Sequence, residues 1–196
     1  MKLATENQFY DVEFVESFDE KKLLFPKKYR GETFEREYYS LNVGCGTVPS
    51  GDVNLDLFKG ETYHRARDGI GKSLEVNKIK NFITATGYSL PFPNNSFPLV
   101  VSNHVIEHLD YPVKFLNELL RVSSHKVLIH CPHKWADRIW KPYKEHKGYF
   151  NRTWFHLVAE KLKVYCVTRI SKELQLPSSV FHFSSLPLEI EAEFFK

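Results

Sequence analysis

The chain has 196 residues, of which 42% are hydrophobic and 26% charged, with a net charge of +3. That apolar content excludes a disordered chain, and the length suits one domain with a central sheet and covering helices. The charge is too slight to imply nucleic acid by itself, and no apolar run approaches the ~18 residues that a bilayer span needs.

The N-terminal stretch MKLATENQFYDVEF lacks an apolar signal core, so the expected location is the cytoplasm, with no membrane association. Cys45, Cys131 and Cys166 are odd in number and widely spaced, which fits buried inert thiols better than a disulfide framework or a metal knuckle. Residues 1–35 hold an acidic cluster followed by a basic one, with Phe9, Tyr10, Phe14 and Phe18 at amphipathic spacing. They are expected to form an extension that packs on, or caps, a domain of residues 36–196.

From position 38 the chain alternates short β-type runs with amphipathic stretches. Residues 38–43 read as a buried strand ending in Gly44-Cys45-Gly46, and residues 52–57 as a second. Residues 81–85 and 98–102 read as the third and fourth, the latter preceded by the turn-rich Pro91-Phe92-Pro93-Asn94-Asn95. Val113, Leu116, Leu119 and Leu120 then share one face of a helix. Residues 126–131 form a fifth strand stopped by Pro132. Residues 152–162 predict a helix with Asn151 as N-cap and Trp154, Leu157, Val158 and Leu162 on its inner side. Residues 163–168 and 188–194 are the sixth and seventh strands, with no clear helix between them, which suits an antiparallel pair closing the sheet. The apolar/acidic alternation of Leu188 to Phe194 is what one wet face would show. The expected fold is therefore α/β: a doubly wound, mainly parallel seven-stranded sheet with helices on both faces and an antiparallel last strand.

Ligands of such sheets bind beyond the carboxyl ends of the strands. Gly44-Cys45-Gly46 after a buried strand allows close backbone approach, and Asp56 at the end of the next strand offers a carboxylate to ribose hydroxyls. A nicotinamide fingerprint would need glycine where Pro49 stands and an acid ~20 residues on, whereas Asp56 follows Gly46 by ten. No Walker loop is present. A nucleoside without a pyrophosphate fits better; a tight turn followed by a surface aspartate is the plain structural alternative.

The ordered segments LNVGCG, DVNLDL, YSLPFPNNSFPLVVSNHVIEHL, FLNELLRV and KVLIHCPH resemble the type 11 family of class I S-adenosylmethionine-dependent methyltransferases, over roughly residues 38–170. The resemblance implies a Rossmann-like methyltransferase fold with S-adenosyl-L-methionine as cofactor. It places Gly44, Cys45 and Gly46 under the methionine part, Asp56 and Leu57 at the ribose, and Thr86, Gly87 and Tyr88 around the adenine. Ser102, Asn103 and His104 would line the floor near the sulfonium. The sequence departs from the family pattern at Thr86, where an aspartate is usual, at Pro98, and at Ser123-Ser124-His125 in place of a glycine turn.

His104-Val105-Ile106-Glu107-His108 is also a literal inverted zinc-protease string. It directly follows a strand and shows no third ligand nearby, so the sequence favours no metal. His108 and His133 are instead the candidates to orient or deprotonate an acceptor, with a packed His108 as the structural alternative. Residues 134–155 interleave Lys134, Arg138, Lys141, Lys144, Lys147 and Arg152 with seven aromatic residues. That suits a lid over a small molecule first, RNA second and a protein partner third. A scaffold that kept the fold and lost the chemistry, or a nicotinamide oxidoreductase, are the competing classes.

Overall fold

The computed structural model describes residues 28–29, 32–33, 39–46, 48–57, 79, 81–139, 145–175 and 185–196. Apart from a two-residue antiparallel pair, Lys28–Tyr29 with Glu32–Thr33, the expected N-terminal extension lies outside the described residues.

Seven strands form one sheet: β1 (Ser40–Val43), β2 (Val53–Asp56), β3 (Phe82–Thr84), β4 (Phe97–Asn103), β5 (Ser123–Pro132), β6 (Tyr165–Gln175) and β7 (Ser185–Phe195). Their order is β3-β2-β1-β4-β5-β7-β6. The first five run parallel, and β7 is antiparallel to both β5 and β6. Strand order reverses between β1 and β4, so the carboxyl ends of these two strands open the crevice in which such sheets bind ligands. Leu41, Val43, Val53, Leu55, Val100 and Ile129 are fully buried, as strands covered on both faces require.

The link between β1 and β2 is too short for a helix and is fastened by polar side chains. Asn42 donates to the Val48 carbonyl and to Ser50 Oγ, at 3.1 and 2.7 Å. One oxygen of the buried Asp52 accepts from Tyr39 N, Ser40 N and Ser40 Oγ at 2.9–3.1 Å. In DVNLDL, then, the first aspartate holds the start of β1 and the second stands at the ligand-side edge.

Helix α1 (Pro112–Val122) begins with proline at its first position and passes straight into β5 through Ser123. The expected glycine turn is unnecessary because Ser123 already pairs with Phe97 in the sheet. On the outer face of α1, Arg121 makes a two-pronged contact with Glu118, both bonds 2.8 Å, and donates to the carbonyls of Leu90 and Phe92. Glu118 in turn accepts from Leu90 N at 2.7 Å. The LPFPNN and ELLRV motifs are thus two halves of one clamp. It ties the turn before β4 to α1 with charge-assisted bonds.

A short helix, α2 (Lys134–Ile139), follows β5, and α3 (Arg152–Leu162) packs against β6 and β7. Asn151 caps α3 as expected, accepting from Trp154 N at 2.9 Å, and Lys163 ends it in the left-handed conformation, φ 56°. The inner face differs from the expectation. Phe155, Val158 and Ala159 are buried, whereas Leu157 is 61% exposed. Phe155 fills the core against Phe150 and Phe194, and that choice rotates Leu157 outward.

The acidic side of β7 also departs from a simple wet face. Because β7 lies between β5 and β6, its carboxylates meet basic side chains from both neighbours. Buried Glu193 pairs with Lys126 of β5 at 2.9 Å and with Arg169 of β6 at 3.0 Å, and Glu189 approaches Lys172 at 3.5 Å. All three cysteines are buried thiols. Burial, with the nearby Glu193 charge, pushes the Cys166 thiol up to about 12, which makes it inert.

Candidate functional site

Four loops meet at the carboxyl edge of the sheet. Gly44 and Gly46 take positive φ, 78° and 54°, and both Gly44 N and Cys45 N donate to the Leu55 carbonyl, at 2.7 and 3.0 Å. Gly46 N donates to Asp56 Oδ2 at 2.8 Å. The glycine turn is therefore strapped to the end of β2, and Asp56 holds the loop as well as facing the edge. A Cβ on Gly44 would stand 2.2 Å from Val105 Cγ2, so this glycine also lets the loop reach the segment after β4. Cys45 is buried, and Leu57, 53% exposed, stands just outside β2.

Thr86, Gly87 and Tyr88 form the turn after β3, closed by Ser89 N donating to the Thr86 carbonyl at 3.2 Å. Thr86 Oγ1 accepts from Tyr88 N at 3.3 Å. Gly87 is required by packing, since a Cβ there would lie 2.5 Å from Phe115 Cε2 of α1. The Tyr88 hydroxyl accepts from Tyr111 N, and Lys114 Nζ lies 5.6 Å from the centre of the Tyr88 ring, so that ring is held in place at the rim.

Ser102 and Asn103 end β4, directly beside β1. Ser102 Oγ and Asn103 Oδ1 are both buried and have no hydrogen-bond partner among the described residues. Buried polar atoms of this kind cost stability until a donor or acceptor reaches them, which is how a cradle for a polar ligand looks before it is filled. His104 follows with φ 51°, its N–H donating to the His130 carbonyl at 2.8 Å. A single 3₁₀ turn, Ile106–His108, comes next, so His104 and His108 do not share a helix as the inverted zinc-protease string would require. His108 Nδ1 lies 3.2 Å from the Glu145 carbonyl oxygen.

His133 stands just past β5, buried, with its own N–H donating to the Leu188 carbonyl and its Nδ1 3.3 Å from Trp135 N. Burial, together with the charges of Lys134 and Arg152, depresses its pKa from 6.5 to about 4. At neutral pH this imidazole is uncharged and a weak proton acceptor. The unfolded chain binds the proton more readily, so the stability contributed by neutral His133 is complete above pH 6.5 and is lost as pH falls toward 4. Urea unfolding at pH 7 and pH 4.5 should show a His133 contribution on the order of 2–3 kcal/mol to the acid loss. His133→Gln should shrink the loss by that amount; an unchanged loss would show that His133 is not the group responsible.

Sequence reasoning did not single out His130, His146 or Glu189 as members of this edge. Val105 belongs to the VIEH segment legible in the sequence, but its contact with Gly44 carries no sequence signal. The seven rings of residues 134–155 divide differently than expected. Phe150 and Phe155 belong to the core, Trp135 lies near Lys134 and Arg138, and Tyr149 is exposed. Residues 140–144 lie outside the described residues.

The sheet order and the covering helices define a Rossmann-like fold of the class I methyltransferase type. Residues 41–130 match the sequence model of a methyltransferase domain. An uncharacterized methyltransferase of Schizosaccharomyces pombe is 34% identical over 105 residues, covering 46% of this chain and 38% of that protein. Ajmaline N-methyltransferase of Rauvolfia serpentina is 33% identical over 97 residues, 43% of this chain and 32% of that one. A solved S-adenosylmethionine-dependent methyltransferase from Archaeoglobus fulgidus shares the fold with a TM-score of 0.58 at 14% identity, covering 81% of this chain and 86% of its own. The family match is confined to residues 41–130, a little under half of the chain, and this match together with the fold implies S-adenosylmethionine as cofactor. The alignments span well under half the length of these two sequence relatives. Among the described residues, no helix is long and apolar enough to cross a membrane.

Proposed function

We propose that the chain transfers a methyl group from S-adenosylmethionine to a small-molecule acceptor. One observation carries the reading: Ser102 Oγ and Asn103 Oδ1, buried with no hydrogen-bond partner among the described residues, lie on the edge that also bears the glycine turn and Asp56. The cofactor supplies a sulfonium-activated methyl group. The residues around it bind and place. Asp56 accepts from the ribose hydroxyls, Gly44, Cys45 and Gly46 give close approach along the methionine part, and Leu57, Thr86, Gly87 and Tyr88 border the nucleoside. Ser102, Asn103 and His104 form the floor. Methyl transfer then gains chiefly from in-line positioning and exclusion of water.

On the acceptor side His108 is the better placed of the two histidines, because it is half-buried whereas His133 is buried. Its proposed role is to orient the acceptor. With Phe150 and Phe155 committed to the core, the described part of residues 134–155 keeps fewer rings for stacking on RNA, which favours the small molecule. The relative named ajmaline N-methyltransferase points the same way.

A screen of small amine, hydroxyl and carboxylate acceptors with methyl-labelled cofactor tests the proposal. Label should enter a small molecule, and His108→Ala should lower kcat at least about tenfold while leaving cofactor affinity within a factor of about two. Label appearing only in RNA or protein would overturn the small-molecule reading. Equal loss of binding and transfer in His108→Ala would make His108 a structural residue.

A further inference from the structure

Behind β4 the fold assembles a group that the sequence keeps apart. The segment carrying His146 is laid against the 3₁₀ turn by two backbone bonds, Lys147 N and Gly148 N both donating to the Glu107 carbonyl at 2.7 and 3.1 Å. Lys147 Nζ adds an ion pair to Asp110 at 2.8 Å. As a result, one ligand-type atom from each of Glu107, His108 and His146 lies within 4.8 Å of the other two. Coordination bonds of ~2.0–2.2 Å put ligand atoms some 3–4 Å apart, so modest side-chain movement would close this set around one ion.

Glu107 is the anomaly that asks for an occupant. It is 1% exposed, and neither carboxylate oxygen receives a hydrogen bond. His104 Nδ1 stands 3.4 Å from Oε1, an approach from one side only. A buried carboxylate without a hydrogen-bond donor is costly unless a cation or another partner reaches it.

We propose that Glu107, His108 and His146 bind a divalent transition-metal ion, with His104 orienting the Glu107 carboxylate. The donor set, two imidazoles and one carboxylate, suits Zn²⁺ and its neighbours rather than calcium or magnesium, which take mainly oxygen ligands. The second shell is also present. A proton on His108 Nδ1, shared with the Glu145 carbonyl at 3.2 Å, aims the Nε2 lone pair away from that bond. Three protein ligands leave a coordination position for solvent or an acceptor group, as catalytic sites do. A second convergence, His104, His130 and Glu189, is less suited. His130 Nε2 lies 2.6 Å from Ser171 Oγ, and Lys172 lies 3.5 Å from Glu189.

The inference shares His108 with the methyl-transfer reading, but its readouts, ion binding and Tm, do not depend on transfer activity. Full-length protein stripped with chelator is titrated with Zn²⁺ and, separately, Mn²⁺, while thermal unfolding is followed with and without each ion. The expected result is one Zn²⁺ per chain, bound more tightly than Mn²⁺ and raising Tm. Glu107→Gln and His146→Ala should each weaken Zn²⁺ binding at least about tenfold and abolish the Tm rise. His146 lies on a half-buried surface segment, so its variant remains informative should Glu107→Gln fail to fold. No stoichiometric binding, or binding equally tight in folded His146→Ala, overturns the assignment.

Discussion

Asp56→Ala should weaken S-adenosylmethionine binding at least about tenfold, about 1.4 kcal/mol, and leave the fold intact. Two losses combine. The ribose hydroxyls lose a charged acceptor, and Gly46 N loses the Oδ2 atom that straps the glycine turn at 2.8 Å. Asp56→Asn separates them, because a side-chain carbonyl can still accept from Gly46 N while the charge is gone. It should therefore fall between wild type and alanine. Calorimetric titration of the three proteins, with urea unfolding as the control for folding, measures this. Wild-type affinity in Asp56→Ala would remove the residue from the site.

Gly44→Ala should be the more damaging change, costing stability as well as binding. The backbone there has φ 78°, which an L-residue adopts at a cost of about 1–2 kcal/mol. The new methyl would meet Val105 Cγ2 at 2.2 Å, and overpacking adds roughly 1–3 kcal/mol. Together about 2–5 kcal/mol is expected in equilibrium unfolding, with cofactor affinity reduced in whatever protein remains folded. Val105→Ala in the same chain removes the Cγ atoms but not the backbone strain, so it should restore part of the loss and not all. Full additivity of the two changes would mean that the contact does not set the loop's position.

The parts of this molecule that depend on local sequence were legible in advance. The buried β-type runs, the Asn151 cap and the inner face of α1 all announce themselves through periodicity and side-chain chemistry. Gly44 and Gly46 were legible as a turn after a buried strand, where both take positive φ, and Asp56 as the end of the next strand. What escaped depends on partners distant in the chain. The placement of β7 between β5 and β6 converts a wet acidic face into paired carboxylates, and only the register Arg169 to Glu191 reveals it. Leu157 turns outward because Phe155 takes the core position, a contest that helical spacing alone does not decide. His146 lies 38 residues beyond His108, and nothing in the intervening sequence signals the backbone bonds to Glu107 that bring the two rings to 4.9 Å. Gly87 reads as a ligand glycine, yet Phe115 is sufficient reason for it.

The most direct test of the central claim is calorimetric titration of the folded protein with S-adenosylmethionine and S-adenosylhomocysteine, with NADH as control. Micromolar binding of both sulfur nucleosides at one site per chain, and none of NADH, is the predicted result. Failure of both to bind a protein shown to be folded would contradict it and leave a scaffold that kept the methyltransferase fold without its cofactor.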